Sequence, residues 1–319
     1  MRKIQIPDCD LNPSVICMGG GSLCVENNDS VVFTLLDTYY QLGGNFIDSA
    51  NIYGKWLPSG KNICDLNIGK WIKSRNIRNH IVITSKGGHP FLDDMTSPRL
   101  SKDEVLFDLD ESLTALGCDT IDLYYLHRDD PGIPVEMIID YLNDFVRVGK
   151  IRYFAASNWK PSRIEEAQNY ARKSGQQGFS ANQLMWSFAI PDTKNLSLPL
   201  LENMDETATE FHKKSDLTAI AYESQARGFF QKIGKAGRIP DDLVKIYGNE
   251  KNMLRYQRAA DLAKELGVKT GDVTLGYILN QSFPGGAVVG CHTPEQLTDS
   301  MSAAKLVLTT EQIGYLEGS

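Results

Sequence analysis

Apolar and polar residues follow a repeated pattern along this chain, built from two kinds of segment. Short, nearly continuous apolar runs occupy 81–86, 121–127 and 151–157, and each is followed by a longer segment in which apolar residues recur at helical spacing. The short runs predict buried strands, and the longer segments predict amphipathic helices. Strands that alternate with helices in this way indicate a parallel sheet covered on both faces.

The number of apolar runs is sufficient to close a barrel. The predicted strands are 14–18, 45–48, 81–86, 121–127, 151–157, 179–183, 217–222 and 287–291. Predicted helices are 31–42, 63–73, 135–148 and 161–173, with another between the capping box Ser101-Lys102-Asp103-Glu104 and Gly117. We therefore predict a single (β/α)8 TIM barrel with rim insertions, forming one domain over 1–319.

One interval between predicted strands is too long for a single strand–helix unit. Tyr222 and Gly290 are 68 residues apart, whereas one unit needs about 40 residues. The surplus near 226–251 is rich in glycine and charge and is expected at or beside the rim of the barrel. It is interpreted either as a lid over a ligand or as a tolerated surface insertion.

Polar side chains with useful chemistry follow three successive predicted strands. Asp48 and Tyr53 follow the second strand, Lys86 ends the third and His127 ends the fourth. The steps from Asp48 to Lys86 and from Lys86 to His127 are 38 and 41 residues, about one strand–helix unit each. A parallel array brings all of them to one rim, where they predict a proton-donating site.

Composition narrows the classes of protein. The net charge of −7 and pI near 5.3 argue against a nucleic-acid binder. No apolar stretch approaches the roughly 20 residues of a membrane span, and the first residues do not read as a signal peptide. The six cysteines are scattered without a CxxC pair, so neither a zinc site nor a disulfide framework is indicated. We predict a cytoplasmic protein that binds no nucleic acid and no membrane.

The order of these residues resembles the aldo-keto reductase superfamily over about 15–304. The resemblance implies a barrel that binds an extended nicotinamide dinucleotide, without a Rossmann domain, and interconverts a carbonyl and an alcohol. Consistently, no G-x-G-x-x-G follows a predicted strand and opens a helix. The matching motifs are D-x-x-x-x-Y at Asp48 and Tyr53, Ser85-Lys86, Leu126-His127, Ser157-Asn158, Gln183 and Tyr222.

Carbonyl reduction assigns a role to each of the residues at this rim. The cofactor supplies a hydride, and the protein supplies a proton and the geometry. Tyr53 is expected to be the acid, with its pKa lowered by the ammonium of Lys86, and Asp48 is expected to hold Lys86 in place. His127 is expected to donate a hydrogen bond to the substrate carbonyl.

The same resemblance predicts a cradle for the cofactor, which is either NADP or NAD. Glu223 stands where relatives carry a small hydroxyl residue, so its neighbours are expected to contact the phosphates. No Lys or Arg occurs in the final loop from Gly290 to Gln296, so the choice between the two nucleotides stays open. The predicted cofactor-binding residues are Ser22, Ser157, Asn158, Gln183, Tyr222, Ser224, Gln225, Arg227, Gly290, His292, Gln296 and Ser300.

The substrate is predicted to be a small carbonyl or alcohol compound. Trp56 and Arg128 are the predicted substrate-binding residues. Arg128, Asp129 and Asp130 are interpreted either as a solvated loop with internal ion pairs or, if they face the pocket, as favouring a polar substrate such as a sugar. Three further aromatic residues are expected either to wall the pocket or to pack in the core. They are Trp159, Trp186 and Phe188.

Two other functions remain open from the sequence. Lys86 at the end of a buried strand is also compatible with a Schiff base in an aldolase-type lyase. A cofactor-binding scaffold that senses redox state is the second alternative, although the intact set of polar residues argues against it. The sequence predicts no oligomeric state.

Overall fold

The computed structural model describes residues 1–196, 201–233 and 239–318, and its strands form a closed parallel barrel. Each strand pairs with the next in the chain, and β1 also pairs with β8 through Ile16 and Ala287. The predicted (β/α)8 barrel is confirmed. The strands are β1 Ile16–Gly19, β2 Phe46–Asp48, β3 Val82–Gly87, β4 Ile121–Leu126, β5 Ile151–Ser157, β6 Ala181–Met185, β7 Thr218–Tyr222 and β8 Gly285–Val289.

Helices surround the barrel and connect its strands. The capping box predicted at Ser101 begins α3, because the Ser101 hydroxyl accepts from the Glu104 amide and the Glu104 carboxylate accepts in return. The helices are α1 Asp29–Gln41, α2 Ile63–Arg75, α3 Lys102–Leu116, α4 Val135–Arg147, α5 Pro161–Ser174, α6 Glu206–Ser215, α7 Phe229–Ile233, α8 Asp241–Tyr247, α9 Glu250–Leu266, α10 Thr270–Leu279, α11 Pro294–Ser302 and α12 Thr310–Glu317.

The last strand lies two residues earlier in the chain than predicted. Gly285 and Gly286 begin β8. A Cβ at Gly286 would lie 2.5 Å from Ile4 Cδ1 and 3.2 Å from the Val15 carbonyl oxygen, so glycine allows the N-terminal segment to pack closely against the strand. β6 is likewise displaced by two residues toward the C-terminus.

The surplus chain after β7 forms helices at the rim. A short 3-10 helix at Ala226–Gly228 is followed by α7, α8 and α9. Residues 234–238 of this predicted insertion lie outside the described residues. Among the helices that the structure describes, none is long and apolar enough to cross a membrane.

A short 3-10 helix, Gly20–Leu23, follows β1 and brings the chain against the end of β2. A Cβ at Gly20 would lie 2.6 Å from the Asp48 carbonyl oxygen, 2.6 Å from Cys64 Sγ and 3.0 Å from Tyr53 Cδ2. A Cβ at the neighbouring Gly21 would meet no atom within 4 Å. Of these two glycines, therefore, only Gly20 must lack a side chain for the helix to approach Asp48 and Tyr53 so closely.

We predict that Gly20→Ala lowers the free energy of unfolding by about 1–3 kcal/mol, because the added methyl overpacks the contact with Asp48 and Tyr53. Gly21→Ala is the matched control and should leave the urea denaturation midpoint near the wild-type value. Equal midpoints for the two variants would contradict this account.

Candidate active site

Lys86 and Asp48 form an ion pair inside the carboxyl end of the barrel. Lys86 Nζ donates to both carboxylate oxygens of Asp48 at 2.7 Å and to the Ser49 carbonyl at 2.8 Å. Both side chains are almost fully buried. Burial lowers the pKa of Lys86, but the charge of Asp48 and its hydrogen bonds to Lys86 contribute to raising that pKa above its ordinary value. Lys86 is therefore a fixed cation.

Tyr53 lies beside this cation on the turn that follows β2. The Tyr53 amide donates to the Ala50 carbonyl at 2.9 Å, and the Tyr53 carbonyl accepts from the Cys64 amide at 3.2 Å. Lys86 Nζ lies 5.0 Å from the centroid of the Tyr53 ring. The residues predicted for the rim thus come together as a group.

The pKa of Tyr53 differs from the prediction. Burial raises it above the ordinary value of 10, and this effect outweighs the lowering by the charge of Lys86. The expected net decrease was wrong because the prediction weighed the charge of Lys86 but not the desolvation of the half-buried Tyr53 side chain. Tyr53 is therefore protonated at neutral pH.

His127 and His89 form a pair of neutral imidazoles next to Tyr53. The His127 ring centroid lies 5.8 Å from that of Tyr53 and 4.7 Å from that of His89. Burial, followed by the charges of neighbouring groups, holds the pKa of His127 well below its ordinary range. His127 Nδ1 is buried and has no hydrogen-bond partner among the described residues.

A cavity of about 350 Å³ opens at this end of the barrel. Tyr53 and His127 line it, together with the predicted substrate residues Trp56 and Arg128. Trp56 is half exposed, and its ring centroid lies 6.2 Å from that of Tyr53. The volume is at the small end of the range for ligand sites, about 300–1,000 Å³.

Predicted nicotinamide contacts line the same cavity. Tyr222 Oη donates to Asn158 Oδ1 at 2.7 Å, and Asn158 Nδ2 donates to Ser157 Oγ at 3.1 Å. Gln183 Nε2 donates to Asp48 Oδ1 at 2.8 Å. Tyr222, Asn158 and Ser157 thus form one hydrogen-bonded chain, and Gln183 belongs to the ion-pair group. Ser157 and Gln183 retain further hydrogen-bonding capacity.

Six of the remaining cofactor candidates follow β7 or β8 in the chain. Gln225 Nε2 donates to Ser300 Oγ at 3.1 Å, and Ser224 Oγ donates to the Val288 carbonyl at 2.6 Å. Gly290 and His292 are exposed, and Gln296 Oε1 accepts from the His292 amide at 2.9 Å. Thr293 caps α11, because its hydroxyl accepts from the Gln296 amide at 3.3 Å.

Two further candidates have partners of their own. Ser22 Oγ donates to the Gly19 carbonyl at 3.3 Å at the end of β1. Arg227 Nε donates to Glu223 Oε1 at 2.9 Å, and both residues line the cavity. The Glu223 carboxylate is thus neutralised by Arg227, which removes the expected repulsion of phosphate.

Three aromatic residues considered for the pocket wall pack in the core instead. The Trp159 ring contacts Phe179 at 5.1 Å between centroids, and Phe188 contacts Tyr277 at 5.0 Å. Trp186 packs against Phe283. None of the three lines the cavity among the described residues.

Several cavity residues were absent from the sequence prediction. His89 lies three residues beyond Lys86, so the rule that identified the strand-end residues also applied to it. Ile246 reaches the cavity from α8, and nothing in its local sequence indicates this position. The other missed lining residues are Ile52, Leu92, Met95, Met185, Leu196 and Leu201.

Comparison with known proteins supports the interpretation of this geometry. The family model described as the aldo/keto reductase family matches residues 15–319. The chain belongs to this family. Aldo-keto reductases are oxidoreductases that act on small carbonyl compounds and use nicotinamide cofactors.

Individual relatives are distant but cover nearly all of the chain. An uncharacterized oxidoreductase, YrpG, of Bacillus subtilis is 28% identical and matches 96% of this chain and 92% of its own. An aryl-alcohol dehydrogenase of Pestalotiopsis microspora is 27% identical over 99% of this chain and 81% of its own. A norsolorinic acid reductase of Emericella nidulans is 26% identical over 99% and 80%.

A solved structure shares the fold. The crystal structure of a thermostable aldo-keto reductase, Tm1743, in complex with the inhibitor epalrestat has a TM-score of 0.75 and is 22% identical. The match covers 99% of each chain.

Because His89 is neutral in the folded protein, we predict that this aldo-keto reductase loses stability in mild acid. Burial lowers the pKa of His89 to about 4, whereas an unfolded histidine titrates near 6.5. This difference in pKa raises the free energy of unfolding by about 3 kcal/mol above pH 6.5. The contribution is lost progressively as the pH falls from 6.5 to 4. Denaturation midpoints between pH 7 and 4 measure this loss.

His89→Asn should reduce this pH dependence, because the variant has no imidazole to protonate. His80→Asn, at an exposed histidine, serves as the control and should keep the wild-type profile. An unchanged profile in His89→Asn would contradict the assignment.

Proposed function

We propose that this aldo-keto reductase reduces an aldehyde or ketone with NADP or NAD, or runs the reverse reaction, with Tyr53 as the general acid and base. The observation that supports this most strongly is the arrangement of Tyr53, Lys86 and Asp48. A phenol lies 5.0 Å, measured at its ring centroid, from an ammonium that Asp48 holds by two hydrogen bonds of 2.7 Å.

Tyr53 has the protonation state that reduction requires. Because its pKa lies above the ordinary value, the phenol carries a proton at neutral pH and can donate it to the carbonyl oxygen. The phenolate left behind is stabilised by the charge of Lys86. Asp48 keeps Lys86 charged and in place, so that the stabilising charge is present before the proton moves.

His127 is suited to orient the carbonyl oxygen of the substrate. Its imidazole is neutral, and its Nδ1 is buried without a partner among the described residues. The tautomer with the proton on Nε2 leaves only a lone pair on the buried Nδ1. Nε2–H then donates to the carbonyl oxygen and stabilises the negative charge that develops there.

The lining residues fit a nicotinamide ring with its carboxamide. When bound, the nucleotide supplies the hydride. Ser157 and Gln183 offer hydrogen-bonding capacity to a carboxamide, and the half-buried Tyr222 ring offers an aromatic surface. Ser224, Gln225, Arg227 and the loop from Gly290 are the proposed contacts for the rest of the nucleotide.

The hydrogen bonds of Lys86 argue against a Schiff-base lyase. Its three ammonium protons are directed to the two oxygens of Asp48 and to the Ser49 carbonyl. An ammonium held in this way has no lone pair for attack on a carbonyl. The complete acid–cation–carboxylate group likewise argues against a scaffold that only senses nucleotide.

We propose that the reaction takes place in the cytoplasm. All six cysteines are free thiols, which supports a reducing cytoplasm. We propose a small carbonyl or alcohol substrate as the partner.

We predict that Tyr53→Phe lowers kcat by at least about 100-fold, because the proton donor is lost while the cavity keeps its shape. Nucleotide binding, measured by fluorescence titration with NADPH and NADH, should stay near wild-type. Tyr315→Phe, at an exposed tyrosine of α12, is the matched control and should retain full activity. Near-normal turnover by Tyr53→Phe would contradict the assignment.

A further inference from the structure

Arg128 is a buried cation at the end of β4 without a carboxylate partner. Among the residues that the structure describes, the buried lysine and arginine side chains are Lys86, Arg99 and Arg128. Lys86 pairs with Asp48 at 2.7 Å, and Arg99 pairs with Asp108 at 3.2 Å. Within that part of the chain the Arg128 guanidinium donates one hydrogen bond, to the His127 carbonyl at 3.3 Å.

Two carboxylates, one next to Arg128 in the chain and one lining the cavity, are paired with other cations. Asp129, the next residue, accepts from Arg163 Nε at 3.2 Å. Glu223, across the cavity, accepts from Arg227 at 2.9 Å. A buried guanidinium without a counter-charge is costly, and a bound anion would offset that cost through charge-assisted hydrogen bonds.

The net charge of the cavity also favours an anionic ligand. Its lining in the described chain includes three charged residues, of which Arg227 and Glu223 neutralise each other. His89 and His127 are neutral because burial lowers the pKa of each. Arg128 therefore leaves the cavity with a net charge of about +1.

The position of Arg128 associates this charge with the substrate rather than with the phosphates of the nucleotide. Arg128 follows His127 directly and lines the same cavity as Tyr53 and His127. The proposed phosphate contacts lie after β7 and β8, whereas Arg128 follows β4, which is separated from β7 in the barrel by β5 and β6.

We propose that the substrate is a small carbonyl compound bearing a carboxylate or phosphate, and that Arg128 binds this anionic group. The inference rests on the proposed reductase function. A cavity of about 350 Å³ that also admits a nicotinamide ring favours a short-chain compound over a large one. The planar guanidinium suits both anions, because it offers two parallel N–H donors to either.

Matched pairs of aldehydes test this proposal. Succinic semialdehyde is compared with butanal, and glyceraldehyde 3-phosphate with glyceraldehyde, using NADPH and NADH. For wild type, kcat/KM should favour the anionic member of at least one pair, and the pair with the larger preference identifies carboxylate or phosphate. Arg128→Met should reduce that preference by about 10- to 100-fold, the value of a hydrogen bond to a charged group.

Two further variants serve as controls. Arg128→Lys keeps the charge and should retain part of the preference. Arg147→Met removes the same charge from an exposed position on α4, and it should leave the ratio of the two kcat/KM values near wild-type. Equal ratios in wild type and Arg128→Met, with turnover of the neutral aldehydes, would overturn the anion site and leave the reductase function standing.

Binding measurements separate the remaining outcomes. If none of these aldehydes turns over, the proposed function fails, and calorimetric titration with succinate and with glycerol 3-phosphate then decides the anion site. Binding that Arg128→Met abolishes supports the site, and binding that is absent or unaffected overturns it. Weaker dinucleotide binding in Arg128→Met with an unchanged preference would assign Arg128 to the cofactor and also overturn the proposal.

Discussion

The buried ion pair between Lys86 and Asp48 is the interaction on which the rest of the site depends. Both charges are buried, so each would be destabilising without the other. Removing one partner of such a pair lowers the free energy of unfolding by about 3–5 kcal/mol. Gln183 and the Ser49 carbonyl complete the hydrogen bonds around it. A fixed positive charge is thereby held inside the barrel, 5.0 Å from the centroid of the Tyr53 ring.

The parallel barrel makes this arrangement possible. Asp48 lies at the end of β2 and Lys86 near the end of β3, and the two strands pair directly, with Asp48 opposite Thr84. Close packing from the other side completes the site, because Gly20 allows the segment after β1 to contact the Tyr53 ring. The electrostatics of the cavity thus follow from strand register and from one position without a side chain.

Much of this site was predictable because strand ends converge in any parallel barrel. The eight apolar runs indicated the fold. The rule that polar residues after parallel strands meet at one rim identified Asp48, Tyr53, Lys86 and His127. It did not give the sign of the Tyr53 pKa shift, since burial depends on packing by residues from the whole chain. Ile246 was missed for a similar reason, because a helix inserted after β7 brings it to the cavity.

Ionisation of Tyr53 gives the most direct test of the central claim that Lys86 stabilises its phenolate. Tyrosine labelled with ¹³C at Cζ allows titration by NMR, with the signal assigned by its loss in Tyr53→Phe. Wild type is compared with Asp48→Asn/Lys86→Met, which removes both charges and leaves no unpaired ion. The account predicts a higher pKa of Tyr53 in the double variant. An unchanged or lower pKa would contradict it.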